Sequence, residues 1–518
     1  MNSKIDRRNF VGTAAATGVF TIVPRNVLGR GFVAPSDKLT MAHIGCGTEG
    51  TRELVQGLIQ DPRVQIVAVC DPVKDGDNYL DWAKNSTRDA IRKLLDDPNF
   101  NSKYSGIRMG RDQFQEVVER YYAKTRGLQN YRVSSYADFR ELLEKEKDIN
   151  CVKVMTPDHL HAAISLDALK RGKNVIVHKP LANRMSEVKL IMETARRTNL
   201  ATHFMAYGSG GSSERIIGMI KEGAIGTLRE IHNWTDRPVW PQYTELPTER
   251  PPVPPNFDWQ LWLGPEKDRP YHPCYTHMVF RSWYDFGGGC IADVGIYSLW
   301  PVFTALNLGP PVSARAWSTH TCNVIDHVAN PVVNDFAFPT ASTIQFEYAA
   351  TSELPSLQVF WYDGGVQPRI PELDADPAPL PPGGMLFVGD KGKILSAGGA
   401  PRLINSQGIE PLWREAAAPK RAAGSGQAAA AAPGRGNDLW VNAFMGGERS
   451  PGDFLSAGPI SETVCLAAVA LRAGRVKSGV RVYPAPVKLL YDSASMKITN
   501  MAEANKYLTR DYRPGWEL

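Results

Sequence analysis

The sequence predicts an α/β protein that opens on a nucleotide-binding domain of parallel strands with helices on both faces. Three observations carry this. An apolar run, residues 38–44, passes directly into Gly45-Cys46-Gly47-Thr48-Glu49-Gly50, and a stretch of helical spacing (Leu54, Val55, Leu58, Ile59) follows. A second apolar run, 64–69, ends at Cys70-Asp71. Two more, 149–155 and 174–177, flank a helical stretch at 162–171, so strands and helices alternate as a parallel sheet requires.

Composition allows this and excludes several alternatives. With 518 residues, 43% hydrophobic and 22% charged, the chain can bury the cores of two domains with insertions, and it is neither disordered nor collagen-like. The formal net charge is +5, but residues 1–30 hold Lys4, Arg7, Arg8, Arg25 and Arg30 against Asp6 alone, which is +4 of that total. The body is near neutral, and no nucleic-acid partner is implied. Seven cysteines are few and odd in number; Cys46, Cys70 and Cys151 sit in or beside apolar runs, as buried small residues rather than a disulfide framework.

At the N-terminus, Asp6-Arg7-Arg8-Asn9-Phe10-Val11 precedes a mild apolar stretch, 11–23. As a helix that stretch rises only about 20 Å, too short for a hydrocarbon core of about 30 Å. The pattern resembles a twin-arginine export signal, so residues 1–35 are read as a signal segment and the protein as exported or periplasmic. No other stretch approaches about 20 apolar residues, and no stable membrane span is expected.

Each glycine of the first turn has a physical task. Gly45 permits the tight turn, Gly47 lets the backbone approach a pyrophosphate, and Gly50 lets helix and strand pack closely. The turn residues Cys46, Thr48 and Glu49 lead into a helix N-terminus whose free N–H groups suit phosphate. Asp71, twenty-one residues after Gly50, suits the ribose hydroxyls of NAD and would repel the 2′-phosphate of NADP; no arginine stands beside it in the chain. The expected cofactor is NAD, on a Rossmann domain spanning 38–180 with a helical insertion at 72–130. Successive strand ends deliver Gly45, Thr156 and Lys179 to one rim, where open parallel sheets bind ligands. No Cys or acid cluster completes a ligand set with His159 and His161, and no metal is expected.

Further residues carry a resemblance. Thr156-Pro157-x-x-x-His161, Lys179-Pro180-Leu181, Gly223-Ala-Ile-Gly226, Trp259-x-x-Trp262-Leu-Gly-Pro265, Gly287-Gly-Gly-Cys-Ile-Ala-Asp293-Val-Gly-Ile-Tyr297 and the tail from Ala504 to Arg513 resemble the Gfo/Idh/MocA oxidoreductases in family order. The resemblance extends from residue 38 to the end. It implies that the Rossmann domain is followed by an α/β domain, 181–518, with an open, mainly antiparallel sheet. It also implies that Lys179 is the catalytic lysine, that Asp293 and Tyr297 line its pocket, and that Thr156, Pro157, His161 and His178 stand beside the cofactor. At Tyr297, a position that is histidine in many members, the tyrosine resembles the glucose–fructose oxidoreductase variant. Two departures stand out: His178 replaces the usual Glu, and Gly208-Ser-Gly-Gly211 replaces Asn-Gln-x-His.

Removing hydride from a sugar carbon needs a base for the hydroxyl proton. A desolvated Lys179 suits that role, with Tyr297 as proton relay and Asp293 holding the lysine or a substrate hydroxyl. The sequence therefore reads as an exported NAD(H)-dependent oxidoreductase acting on a sugar, polyol or glycoside, forming a homo-oligomer. One alternative is a glycosidase that retains NAD and works by transient oxidation; another is a non-catalytic periplasmic sugar-binding protein. Elsewhere, 238–273 holds ten prolines with Trp240, Trp259 and Trp262, an irregular loop lying over the sheet. Strand patterns recur at 312–319, 342–348, 357–362 and 385–395, and 416–436, with ten alanines in twenty-one residues, reads as a flexible surface loop.

Overall fold

The computed structural model describes residues 38–104, 106–206, 212–374, 378–413 and 437–518. The signal segment, residues 208–211 and the alanine-rich 416–436 lie outside the described residues.

The first domain is built on β1 (Leu39–Ile44), β2 (Val64–Cys70), β3 (Gly76–Tyr79), β4 (Ile107–Met109), β5 (Ser134–Tyr136), β6 (Cys151–Val154), β7 (Asn174–His178) and β8 (Thr202–Met205). Six of these form one sheet in the order β5-β2-β1-β6-β7-β8, every pair parallel. All four residues of β6 are buried because helices cover both faces of the sheet. The order reverses between β1 and β6, which places the ligand crevice after Ile44 and Val154.

Two boundaries differ from the sequence reading. The parallel sheet does not stop at 180: helix Met185–Thr198 and β8 complete it. A strand of four residues gives too short an apolar run to be read alone. Nor is 72–130 wholly an insertion. Helix Arg111–Arg126 buries Phe114, Val117, Val118 and Tyr122 beneath the sheet and is the crossover between β2 and β5. Only 72–110 is extra, with helix Ser86–Leu95 and the antiparallel pair β3–β4.

The second domain carries a ten-stranded sheet made by β9 (Leu228–Trp234), β10 (Ser313–Ser318), β11 (Ser342–Tyr348), β12 (Leu357–Tyr362) and six further strands. It is antiparallel except for the parallel pair β9–β12. Strict alternation of burial along β11 and β12 shows one face on the core, as an antiparallel sheet permits. That core includes helix Phe454–Ala473, which also packs on helix Met185–Thr198, so apolar packing is continuous across the domain junction. The helix corrects the reading that no second stretch is membrane-like. It is long and apolar enough to cross a membrane, but 78% of its apolar window is buried inside the protein.

The extra segment 72–110 laces the domains together. Lys74 N–H donates to Asn256 O at 2.8 Å, Asp258 N–H to Pro72 O at 3.0 Å, and Gly110 N–H to Cys46 O at 3.2 Å. The proline-rich loop and the glycine turn are thereby joined through one strap.

Candidate active site

The glycine turn has the shape a dinucleotide needs. Gly45 takes φ +101°, and a Cβ there would lie 2.4 Å from Met155 O; at Gly50 it would lie 2.1 Å from Gly45 O. These two positions are closed to any side chain by the backbone itself. Asp71 stands at the end of β2, where its Oδ2 accepts the Cys46 N–H at 2.6 Å and its Oδ1 the Val73 N–H at 2.8 Å. Burial pushes the Asp71 carboxyl up to about 6, against the pull of those two N–H groups. Thr156 Oγ1 is buried on the same rim with no partner among the described residues. A cradle of glycines, an acid at the ribose position and an unsatisfied hydroxyl on the rim together fit NAD.

The strap lies on this cradle. A Cβ on Gly47 would meet the Tyr79 ring at 3.2 Å, and Tyr79 packs against His277 of the second domain with ring centroids 3.7 Å apart. Thr48 Oγ1 donates to Leu80 O at 2.7 Å, and Trp82 Nε1 donates to Glu49 at 3.3 Å. Thr48 and Glu49 thus hold the strap as well as flanking the turn. Arg111 also arrives at this corner, its Nη1 donating to Asp71 O at 2.9 Å. The expectation that no arginine stands beside Asp71 is corrected: the residue is forty positions away in the chain and was invisible to local reading.

The second centre lies at the end of β7. Lys179 Nζ donates to Asp293 Oδ1 at 2.5 Å and to Asp293 O at 2.6 Å. Arg281 Nε donates to the same Oδ1 at 2.9 Å. Lys179 is 2% exposed and Asp293 8%. Desolvation lowers the Lys179 amine, Asp293 pulls it back up, and Arg281 lowers it again. At Asp293, burial works to raise the carboxyl, and Arg281 with Lys179 outweighs it, holding it well below the usual carboxylate range.

Tyr297 stands beside this pair without joining it. Lys179 Nζ lies 4.7 Å from the centre of the tyrosine ring, while the Tyr297 hydroxyl meets His178 Nε2 at 3.3 Å. Burial depresses the His178 imidazole well below its ordinary value. The residue that replaces the usual Glu therefore enters the site as a neutral ring on the tyrosine hydroxyl. His161 is different. Its Nδ1 lies 2.6 Å from Pro180 O and its Nε2 2.9 Å from Thr156 O, so both ring nitrogens face strand-end carbonyls, and the ring, kept neutral by burial, donates to one of them. His159 Nε2 is likewise taken by Trp262 O at 2.8 Å, and Pro157 shapes the entry to that turn.

Local reading did not find Arg281, Asp158, Tyr79 or Trp82. Asp158 accepts the Gly288 N–H at 2.9 Å and so fastens the glycine run before Asp293 to the rim. Asp158 lies inside the Thr156–His161 stretch, whereas Arg281 falls between the proline-rich loop that ends at 273 and the run that begins at Gly287, where no local pattern marks it.

Residues 85–205 match a family model described as oxidoreductase family, NAD-binding Rossmann fold, and 220–313 match one described as oxidoreductase family, C-terminal alpha/beta domain. A levoglucosan dehydrogenase of Pseudarthrobacter phenanthrenivorans is 30% identical over 115 residues, 21% of this chain and 29% of that protein. An alpha-N-acetylgalactosaminidase of Shewanella oneidensis is 34% identical over 91 residues, 17% of this chain and 20% of that protein. The matched stretch therefore spans under a third of either relative. Among solved structures, the WlbA dehydrogenase from Bordetella pertussis aligns over 87% of this chain and 99% of its own, with TM-score 0.46 and 12% identity.

Proposed function

We propose that this chain, with its NAD-binding Rossmann domain, is a Gfo/Idh/MocA oxidoreductase and that it oxidises or reduces a CH–OH group of a sugar, polyol or glycoside. The observation that carries the reading is the buried Lys179–Asp293 pair on the same rim as the glycine turn and Asp71. NAD, when bound, supplies the hydride acceptor. The Gly45–Gly50 turn and Asp71 would hold it. Lys179 takes the substrate hydroxyl proton at Nζ and returns it in the reverse direction, which requires the amine to be neutral when substrate arrives. Asp293 keeps that amine fixed. Tyr297, its hydroxyl 3.3 Å from His178 Nε2 and its ring against Lys179 Nζ, is the relay for the proton that Lys179 gives up between turnovers. The experiment is to identify any nucleotide bound to the purified protein by mass spectrometry, then follow absorbance at 340 nm against a panel of sugars and glycosides. No absorbance change with any of them, in a protein that binds NAD, overturns the oxidoreductase reading.

One observation favours a second reading, in which retained NAD serves glycoside cleavage by transient oxidation. The strap fastened over Gly47 impedes exchange of nucleotide between turnovers. Release of aglycone without net NADH is its signature.

Export rests on Arg7 and Arg8. Replacing both with lysine is expected to hold the protein in the cytoplasm with fold and cofactor binding intact; fractionation of cells checks this, and unchanged periplasmic recovery defeats it.

A further inference from the structure

Asp293 Oδ1 takes two cations. Lys179 Nζ stands 2.5 Å from it and Arg281 Nε 2.9 Å, and all three residues are buried. Arg281 is held there by more than the carboxylate. Its guanidinium carbon lies 4.6 Å from the centre of the Phe280 ring and 5.9 Å from that of Trp240, and its Nη1 reaches Met278 O at 3.4 Å. The guanidinium is charged at every working pH, whereas the lysine amine can lose its proton. A lysine paired alone with a buried carboxylate keeps its proton to high pH, because losing it strands the carboxylate without a counter-charge. With Arg281 on the same oxygen, the carboxylate keeps a partner when the lysine becomes neutral.

We propose that Arg281 is a positioning residue: by sharing Asp293 Oδ1 it secures the carboxylate and frees the Lys179 amine to give up its proton. The inference rests on the reading of Lys179 as the acid/base group. The other groups around the lysine do not serve this purpose. Asp158, on the turn after β6, is a second carboxylate occupied by Gly288 N–H; His161 beside it and His178 are neutral rings; Tyr297 offers its ring face. Glu49 and Arg52 of the nucleotide helix pair with each other.

The test reads Lys179 directly and does not need a substrate. Trace labelling with acetic anhydride across pH, quantified at Lys179 by mass spectrometry, gives the pH at which half the amine is neutral. In Arg281→Met that midpoint is expected to rise by about one pH unit, the order of effect a charge within a few ångström exerts. Arg281→Lys, which keeps the charge, is expected to stay within a few tenths of the parent. A midpoint in Arg281→Met that is unchanged or lower overturns the proposal. Arg281→Gln replaces Arg281→Met if the latter does not fold. Failure of both to fold also overturns it, since Arg281 is then a structural residue. With any sugar found active, the acid limb of kcat against pH is expected to move upward by the same amount at unchanged KM. If no sugar is active but the labelling midpoint shifts, the oxidoreductase reading fails and the assignment of Arg281 stands.

Discussion

Lys179, Asp293 and Arg281 make one buried ionic cluster, and Arg184, Arg269, Arg510, Glu187, Glu266 and Asp285 make another at the domain junction. In the second, three guanidiniums meet three carboxylates. Arg510 donates to Glu187 at 2.8 Å and to Glu266 at 2.5 Å, Arg184 to Glu266 at 3.1 Å, and Arg269 to Asp285 at 2.6 Å. Each charge is answered by another, and the cluster welds the C-terminal tail to helix Met185–Thr198. In the first cluster two cations share one carboxylate oxygen, and one of those cations can lose its proton. Burial alone does not distinguish a weld from a reaction centre. The direct charge balance and the identity of the surplus cation do.

The largest expected break of this contrast is Lys179→Met. It removes the ammonium and keeps most of the volume, so NAD binding survives while single-turnover hydride transfer falls by about 10²–10⁴, the usual worth of a positioned acid or base. A variant that binds NAD and reacts at the parent rate defeats the assignment. At the junction the loss is of stability instead. Glu187→Ala leaves the Arg510 guanidinium, itself buried, short of a partner and is expected to cost about 3–5 kcal/mol in denaturant unfolding. A cost under about 1 kcal/mol would show that the cluster is not a weld.

A third test separates both clusters from the nucleotide turn through pH. The Asp71 carboxyl rises from 3.8 to about 6 on folding, so its stabilising share is fully present below pH 3.8 and is lost as pH rises through about 6. NAD binding runs the other way, because the ribose needs the carboxylate. Affinity is expected to fall about tenfold for each pH unit below about 6, and to be flat over that range in Asp71→Asn. Calorimetric titration at several pH values reads it, and equal affinity at pH 7 and pH 5 in the parent defeats it. The smallest effect is kinetic. Tyr79→Ala lifts the strap's ring from Gly47 and is expected to speed NAD association, read by stopped-flow fluorescence, without changing the chemical step. Unchanged association would mean that the strap is no barrier.

The contrast between the two centres also marks what could be read in advance. The glycine turn, Asp71 and Lys179 were legible because each follows a strand of its own and obeys a local rule of spacing. The placing of His161 beside the cofactor comes from the family resemblance alone, and in the fold both its ring nitrogens face carbonyls of strand-end loops. Helix Arg111–Arg126 was periodic in the sequence, yet periodicity does not say whether a helix caps a domain or crosses beneath its sheet.

What the sequence by itself determined is therefore local: where strands stop, where glycine alone fits, and which ionisable residues stand at strand ends. Those features depend on backbone geometry within a few residues, which short-range sterics and hydrogen bonding dictate. What only the tertiary structure decided is which charges share a carboxylate. Lys179 and Asp293 lie 114 residues apart, Arg510 and Glu187 lie 323 apart, and Arg111 reaches Asp71 across 40. Partners so distant are chosen by chain packing, which spacing along the sequence does not encode, and the protonation of Lys179 depends on the two that packing brings to it, Asp293 and Arg281.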